Sequence, residues 1–136
     1  MPVARLVRVI EFTARHHYGR SDRSDEWNQA RFGDQRRPHE HTYRLEVTVE
    51  GEVDPETGFV VDLPRLDALL ASVVSPLEGA DLNRAVPPVR EGAMQPSTEG
   101  LALWFRSQLV SQVPGTARLR RIRLWESDTL AGEVDG

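Results

Sequence analysis

The sequence predicts an α+β domain in which two helices cover one face of an antiparallel sheet. The first indication is residues 41–51, where apolar and polar residues alternate strictly, as in a half-buried antiparallel strand. The second is a pair of later segments, residues 63–74 and 98–113, in which apolar residues recur at helical spacing. A chain of 136 residues is long enough to bury a core, and we expect a single domain over residues 1–136.

The first half of the chain is predicted to form two long strands with a connection between them. Residues 3–14 are rich in Val, Ile, Leu and Phe with interspersed Arg and Glu, which is typical of a strand. Residues 18–38 are polar and contain two glycines, so we expect a long connection with a short helix over residues 25–32. A connection of that length in a small domain is often functional. The strand over residues 41–51 follows it.

The second half is predicted to contain a short strand, two helices and a last strand. The turn-forming sequence Asp54-Pro55-Glu56-Thr57-Gly58 precedes a short strand over residues 59–62. The first helix follows directly, with a proline in its first turn, and an irregular stretch over residues 76–96 separates it from the second helix. A Pro-Gly pair ends the second helix, residues 119–126 form the last strand, and the tail is polar.

Composition excludes several classes of protein. The net charge is −4, from 17 basic and 21 acidic residues, so we expect no nucleic-acid partner. The basic run over residues 118–123 has interleaved apolar residues, which favour a strand with a solvated face. The absence of cysteine excludes disulfides and thiolate sites and is compatible with the cytoplasm, where we expect the protein to reside. We expect no signal peptide, because the N-terminus lacks a long apolar run before charge appears, and no stretch approaches the roughly 20 apolar residues of a membrane span.

The histidines form two clusters at the ends of predicted strands, His16-His17 and His39-Glu40-His41. Residues two apart in a strand share a face, so His39 and His41 point the same way, towards the covered side of the sheet. Two such imidazoles can chelate one ion, and a third from the neighbouring strand, His16 or His17, completes a three-histidine zinc site with an open fourth position. Strand parity favours His16 and leaves His17 pointing away or supporting a ligand from behind. Histidines at this spacing also occur by chance on surfaces.

Two glutamates occupy informative positions. Glu126 shares strand parity with Ile122 and Leu124, so it points with the apolar face, and a carboxylate placed there needs a partner. This favours a role in ligand binding. Glu99 lies at the start of the second helix, where a carboxylate is also favoured simply by the helix dipole.

Five short motifs occur in an order that resembles a known family. They are Phe12-Thr13-Ala14-Arg15-His16, His39-Glu40-His41-Thr42-Tyr43, Asp54-Pro55-Glu56-Thr57-Gly58-Phe59-Val60-Val61-Asp62, Pro96-Ser97-Thr98-Glu99 and Trp125-Glu126-Ser127-Asp128. This succession, which extends from Val9 to Asp128, resembles the 6-pyruvoyltetrahydropterin synthase family. That family includes the bacterial 6-carboxytetrahydropterin synthases of queuosine biosynthesis. Each motif alone is weak, whereas five in order with compatible spacing are specific.

The resemblance implies a fold and an assembly. The family's fold is the tunnelling fold, or T-fold, in which four antiparallel strands have two helices between the second pair. The predicted order of elements fits this fold if residues 59–62 form the tail of the long hairpin. Family members assemble as rings of trimers, usually paired into hexamers, so we expect a homo-oligomer whose sheet edges are paired in the ring.

The resemblance also implies a site. The family's zinc ion is held by three histidines that match His16, His39 and His41. Its pterin ring is held by a glutamate of the last strand that matches Glu126, and by another that matches Glu99. A carboxylate suits a pterin, because its two oxygens can accept hydrogen bonds from the 2-amino group and the ring N–H at the same time. The substrate class implied is a reduced pterin such as 7,8-dihydroneopterin triphosphate.

The sequence departs from the family where proton transfer is expected. The family has a cysteine four residues before the first histidine of the pair, and an Asp-His pair in the second loop. Here Gln35, Glu78 and Gly79 stand in those places. Glutamine cannot act as a base, and glycine has no side chain. Some family members with glutamate in place of the cysteine cleave the pterin side chain to a hydroxymethyl product, and glutamine matches neither pattern.

Four residues remain as candidate general bases: Glu40, His17, Glu78 and Asp81. Glu40 is adjacent to the histidines, but adjacent strand residues face opposite ways, so a bulge is needed to bring it in. We therefore expect a zinc-dependent pterin lyase whose base and product are open. The alternatives are a pterin- or metal-binding protein without turnover, an enzyme for a different substrate, and a protein that keeps zinc for structure alone.

Overall fold

The computed structural model describes residues 2–136, and its strands form one four-stranded antiparallel sheet. The strands are β1 (Val3–His16), β2 (His39–Glu52), β3 (Arg118–Ser127) and β4 (Leu130–Asp135), and they are neighbours in the sheet in chain order. The predicted α+β class and four-stranded antiparallel sheet are confirmed. β1 and β2 pair along their whole length, which sets His16 opposite His39 at one end.

The helices lie in two connections, one between β1 and β2 and the other between β2 and β3. Helix α1 (Asp25–Phe32) lies in the connection from β1 to β2, with the bounds predicted from the sequence. Helix α2 (Leu63–Val74) follows β2; the short helices α3 (Leu82–Ala85) and α4 (Pro87–Arg90) lie in the stretch predicted to be irregular; helix α5 (Thr98–Leu109) precedes β3. In residues 2–136, no helix combines the length and apolar character needed to cross a membrane.

The core lies between one face of the sheet and helices α2 and α5, as predicted. Tyr43 and Leu45 of β2 are fully buried, which agrees with the alternation read from the sequence. Phe12 of β1 stacks on Tyr43 with ring centroids 5.0 Å apart, and it meets Phe105 of α5 edge-on at 5.9 Å. Burying each such side chain contributes about 1.5–3 kcal/mol, so these contacts firmly attach α5 to the sheet at the end where the histidines lie.

The short strand predicted over residues 59–62 is wrong, because this segment forms no strand in the structure. Gly58, with a φ of 78°, closes a turn in which the N–H of Asp54 donates to the carbonyl of Phe59. The side chain of Asp62 then accepts from the N–H of Arg65 and begins α2. The segment is therefore fixed at both ends by a turn and a helix cap, and the Phe59 side chain stays exposed.

The polar tail contains a strand that the sequence analysis did not predict. β4 pairs with β3, with Ile122 opposite Val134 and Arg123 opposite Glu133. Its core-facing positions include a glycine, Gly132, so the apolar alternation that marks the other strands is missing. Ion pairs support it instead: the Nε of Arg123 donates to the Glu133 carboxylate at 2.9 Å on the open face of the sheet.

Candidate metal centre and adjoining cavity

Three histidines meet where β1 ends and β2 begins. His16 is paired with His39, and His41 is paired with Ala14, so all three side chains project from the same face of two neighbouring strands. One ring nitrogen from each of the three lies within 4.8 Å of the others. His17, the other candidate from the first cluster, is not part of this group. Antiparallel pairing of the strand ends is therefore what brings the predicted ligands together.

His16 and His39 each use one ring nitrogen for a hydrogen bond. The other ring nitrogen of each residue keeps a lone pair that is available to a ligand. The Nδ1 of His16 lies 2.8 Å from the carbonyl oxygen of Pro96, and the Nδ1 of His39 lies 2.8 Å from that of Arg37. Because a carbonyl oxygen can only accept, each Nδ1 carries the proton and each Nε2 has a free lone pair. The hydroxyl of buried Tyr43 also lies 3.3 Å from the His16 Nδ1.

The state of His16 fits a metal ligand. Its side chain is fully buried, and its Nε2 has no hydrogen-bond partner within residues 2–136. Burial is the main cause that lowers the pKa of His16 to about 4; the bond to Pro96 opposes this change, and the nearby His39 and His41 contribute to it. A neutral imidazole with a free lone pair is the form that binds a metal ion, and a group of three imidazoles suits zinc with an open fourth position.

Glu126 of β3 lies against this cluster. Its Oε1 is 3.5 Å from the Nε2 of His16 and 3.7 Å from the Nε2 of His41, and this oxygen is buried without a hydrogen-bond partner. The pKa of His41 is lowered mainly by burial, while the Glu126 carboxylate opposes that change. Glu126 therefore points inward, as predicted, and its unpartnered oxygen can accept a hydrogen bond from a ligand.

A cavity of about 350 Å³ opens beside the histidines. Its lining combines two of the three histidines, two carboxylates, a guanidinium group, an aromatic ring and an amide; the residues are Tyr18, Asp34, Gln35, Arg37, Pro38, His39, His41 and Glu126. Gln35, which stands in the place of the family's cysteine, is thus in the wall of the cavity. The cavity is large enough for a ligand of about the size of a bicyclic ring.

Glu99 lies in the first turn of α5, is exposed, and is not among the described residues that line this cavity. This helix begins at Ser97, whose side chain accepts from the N–H of Gly100. Gly132 of β4 allows the start of α5 to lie close to the sheet, since a Cβ at this position would be only 3.0 Å from the backbone N of Glu99. Burial, then Glu126, then Glu99 raise the pKa of Tyr18, which lines the cavity, to about 12.

None of the four candidate bases is among the described residues that line this cavity, and each has another environment. Glu40 is exposed and points to the opposite face from its histidine neighbours. The Glu78 carboxylate accepts from the backbone N–H of Thr13 at 2.9 Å, and the Asp81 side chain accepts from the N–H of Asn83 at the start of α3. Their role as bases stays a prediction.

His17 lines a second cavity of about 680 Å³, which Tyr18 also lines. Sequence reasoning did not find Tyr18 itself, nor the carbonyls of Arg37 and Pro96 that orient the histidines. The position of Tyr18, two residues beyond His16 on the same parity, was an available signal. Nothing in the sequence marks the two carbonyls, because every residue has a backbone carbonyl.

Fold and site together define a class of protein: a T-fold domain with a three-histidine cluster where its first two strands meet. The chain belongs to the 6-pyruvoyl tetrahydropterin synthase family, whose model matches residues 5–136. The resemblance read from the five motifs is thereby confirmed, and family members are lyases that act on pterins.

Named relatives are similar over nearly the whole chain. A Pyrococcus furiosus protein named dihydroneopterin monophosphate aldolase is 30% identical over 97% of this chain and 97% of its own. The human 6-pyruvoyl tetrahydrobiopterin synthase is 32% identical over 92% of this chain and 86% of its own. The structure of Caenorhabditis elegans 6-pyruvoyl tetrahydropterin synthase superposes with a TM-score of 0.91 at 26% identity, covering 100% of this chain and 97% of that one.

Proposed function

We propose that the protein is a zinc-dependent lyase that acts on 7,8-dihydroneopterin triphosphate or a related phosphorylated pterin. The observation that carries this proposal is the His16 Nε2, a buried lone pair without a partner, in a group of three histidines beside a cavity. When bound, zinc supplies Lewis acidity that polarises an oxygen of the substrate and lowers the pKa of its hydroxyl group. His16, His39 and His41 are the residues that hold it.

In this proposal the two glutamates bind the pterin ring. The Glu126 Oε1 is buried and lacks a donor, and the 2-amino and ring N–H groups of a pterin supply donors to a carboxylate. Glu99, an exposed carboxylate in the first turn of α5, is the second acceptor in this proposal. Orienting the ring with carboxylates directs its side chain towards the histidines, which is the arrangement that proximity requires for a reaction at that side chain.

The reaction outcome has two candidates. One is elimination of triphosphate, as the name of the human relative suggests. The other is cleavage of a carbon–carbon bond in the pterin side chain, as in the Pyrococcus furiosus relative named as an aldolase. Gln35 in the cavity wall favours the second, because an amide cannot accept the proton that the family's cysteine takes. Glu40, His17, Glu78 and Asp81 remain the candidate bases.

The test is metal analysis followed by product analysis. We expect the protein, purified without added metal, to contain about one zinc ion per chain. The protein is then incubated with the triphosphate and monophosphate of 7,8-dihydroneopterin, and products are identified by mass spectrometry. A hydroxymethyl pterin indicates side-chain cleavage, whereas loss of triphosphate with the carbon chain retained indicates elimination.

The His39→Ala variant is the control. If the reaction depends on the three histidines, this variant should form no product. Zinc without a product from either substrate would contradict the enzyme proposal. The alternatives that would then stand are a pterin- or metal-binding protein, or an enzyme for another substrate.

We also infer that copies of the chain assemble as a trimer or hexamer in the cytoplasm. Exposed valines on the open face of edge strand β1 support assembly: Val3, Val7 and Val9 are 58%, 51% and 43% exposed. Exposed apolar residues grouped on one strand are typical of a surface that is covered in an oligomer. Native mass spectrometry distinguishes a trimer or hexamer from a monomer, and a monomer would contradict the inference.

A further inference from the structure

The segment after β1 is held rigidly although it lies outside the strand. Asn83 binds His17 in a bidentate manner: its Oδ1 accepts from the His17 N–H at 3.0 Å, and its Nδ2 donates to the His17 carbonyl at 3.0 Å. Gln95 does the same to Gly19, at 3.2 and 2.9 Å. Between them, the N–H of Tyr18 donates to the carbonyl of Gln35 at 2.9 Å. Two side-chain amides thus replace the strand partner that this segment lacks.

These five hydrogen bonds use only backbone groups of the segment, so they fix Tyr18 without engaging its hydroxyl. The Tyr18 ring is held by packing. It stacks on Phe32, with centroids 5.5 Å apart and planes inclined by 15°, and it meets His16 at 5.1 Å. A phenol ring with defined packing on both sides loses little further rotamer freedom when a ligand binds.

Tyr18 also lines both of the cavities described above. It lines the cavity of about 350 Å³ together with His39, His41 and Glu126, and it lines the cavity of about 680 Å³ together with Asn83 and Gln95. A pterin ring bound at Glu126 has its side chain near the histidines. A long side chain that continues from the smaller cavity into the larger one must pass the Tyr18 ring.

We propose that the Tyr18 hydroxyl donates a hydrogen bond to a side-chain oxygen of the bound pterin, and that Tyr18 is thereby a specificity-determining residue. This inference rests on the function proposed above and names the part of the ligand that the site recognises, a hydroxylated side chain. A site built to hydrogen-bond a substrate hydroxyl discriminates against an analogue that lacks it. The Tyr18 ring supplies the wall, and its hydroxyl supplies the donor.

The test compares two ligands that share the pterin ring. Zinc-loaded wild-type protein and Tyr18→Phe are titrated calorimetrically with 7,8-dihydroneopterin, which has side-chain hydroxyls, and with 6-methyl-7,8-dihydropterin, which has none. We expect Tyr18→Phe to weaken binding of the first ligand about fivefold to tenfold, the effect of one hydrogen bond, and to leave binding of the second unchanged. The substitution keeps the ring, so packing on Phe32 and zinc content are preserved.

Two further variants separate the effect of holding Tyr18 in place from the effect of its hydroxyl group. Gln95→Ala releases Gly19 and should reproduce part of the loss for 7,8-dihydroneopterin only, since the hydroxyl is still present but less fixed. Tyr43→Phe removes the same atom from the chain's other tyrosine, whose hydroxyl lies near His16 Nδ1 and outside the cavity lining. In zinc-loaded protein, Tyr43→Phe should retain the wild-type ratio of the two affinities.

The outcomes distinguish this inference from the proposed function. If wild-type protein binds both ligands and Tyr18→Phe leaves the ratio of affinities unchanged, the role of Tyr18 is refuted and the proposed function stands. An equal change of the ratio in Tyr43→Phe also refutes it. If zinc-loaded wild-type protein binds neither ligand, the proposed function and the role of Tyr18 fail together.

Discussion

The ring of His16 and the carbonyl of Pro96 are joined by a 2.8 Å hydrogen bond between residues 80 positions apart in the chain. This bond connects the end of β1 to the residue just before the Ser97 cap of α5. It fixes which ring nitrogen of His16 has a free lone pair, and it does so from the segment that also positions Glu99. The orientation of a candidate metal ligand and that of a candidate pterin ligand are therefore structurally linked.

Replacing His39 with alanine should lower zinc affinity by more than about 100-fold, because a direct ligand is expected to matter more than the supporting residues for which 10–100-fold losses are typical. Competition with a chromogenic chelator measures this. His17→Ala is the matched control, since His17 is adjacent to His16 in sequence but lies outside the group of three. Equal losses in both variants would refute the assignment of the ligands.

Removing zinc with a chelator should lower the melting temperature of wild-type protein. The melting temperature of the His39→Ala variant should stay nearly the same. Zinc present at about 100 times its dissociation constant stabilises the folded chain by about 2.7 kcal/mol. For a domain of this size that corresponds to a shift on the order of 10 °C. Scanning calorimetry with and without chelator gives the difference. The same shift in both proteins would mean that the ion acts elsewhere.

Glu126→Gln should weaken pterin binding by more than about tenfold while the fold and zinc content are retained. The Glu126 Oε1 is buried without a donor, so an amide of the same shape removes the charge that a pterin would satisfy and does not create a cavity. Fluorescence titration with a reduced pterin measures the affinity. Glu133→Gln, on the exposed edge strand, provides a control that should bind normally; unchanged binding in Glu126→Gln would contradict the prediction.

Gly132→Ala should destabilise the protein by about 1–3 kcal/mol, because the added Cβ would lie 3.0 Å from the N of Glu99 and 3.1 Å from the carbonyl carbon of Thr98. The start of α5 must then move away from β4, so pterin affinity should fall as well. Urea denaturation and ligand titration report the two effects. Gly51→Ala is a matched strand variant, because its Cβ would meet its nearest atoms at an ordinary 3.4 Å.

Glu50→Gln should reduce stability near pH 7 and have a smaller effect near pH 3. Glu50 is 5% exposed, and its carboxylate accepts from Arg118 at 2.8 Å and from Arg5 at 3.2 Å. The hydrogen bond from Arg118 is the main reason that the pKa of Glu50 lies below its ordinary value. A carboxyl with a lowered folded-state pKa stabilises the fold above its unfolded pKa, about 4.3, and loses this contribution as the pH falls through the folded-state pKa. Urea denaturation of both proteins across this range tests the trend; a difference that does not depend on pH would argue against it.

Strand alternation was sufficient to predict the inward face of the site. His16, His39, His41 and Glu126 all follow the parity of apolar neighbours, and each projects to the covered side. The same reasoning failed for β4, because an edge strand with a glycine on its inward face and ion pairs on its outward face has no apolar alternation. It failed in the opposite sense for residues 59–62, where apolar side chains precede a helix cap.

The loop contributions could not be read from the sequence for a different reason. Asn83 and Gln95 hold His17 and Gly19 over separations of 66 and 76 residues, and no local pattern records such a contact. The same holds for Glu78, which the sequence suggested as a base and which the structure bonds to the backbone of Thr13. Side chains that bind distant backbone groups are evident only when the chain is folded.

All three candidate zinc ligands belong to the β1–β2 pair, which spans residues 3–52. During synthesis, the full set of nitrogens is therefore made before the segments that contribute Pro96, Glu99 and Glu126. A two-stranded hairpin alone is only marginally stable in water, so an ion that links the ends of its strands would stabilise it at the stage when it has no helices to cover it. Metal capture can thus precede completion of the ligand-binding cavity, and an ion acquired early would act as a template on which the second half of the chain folds.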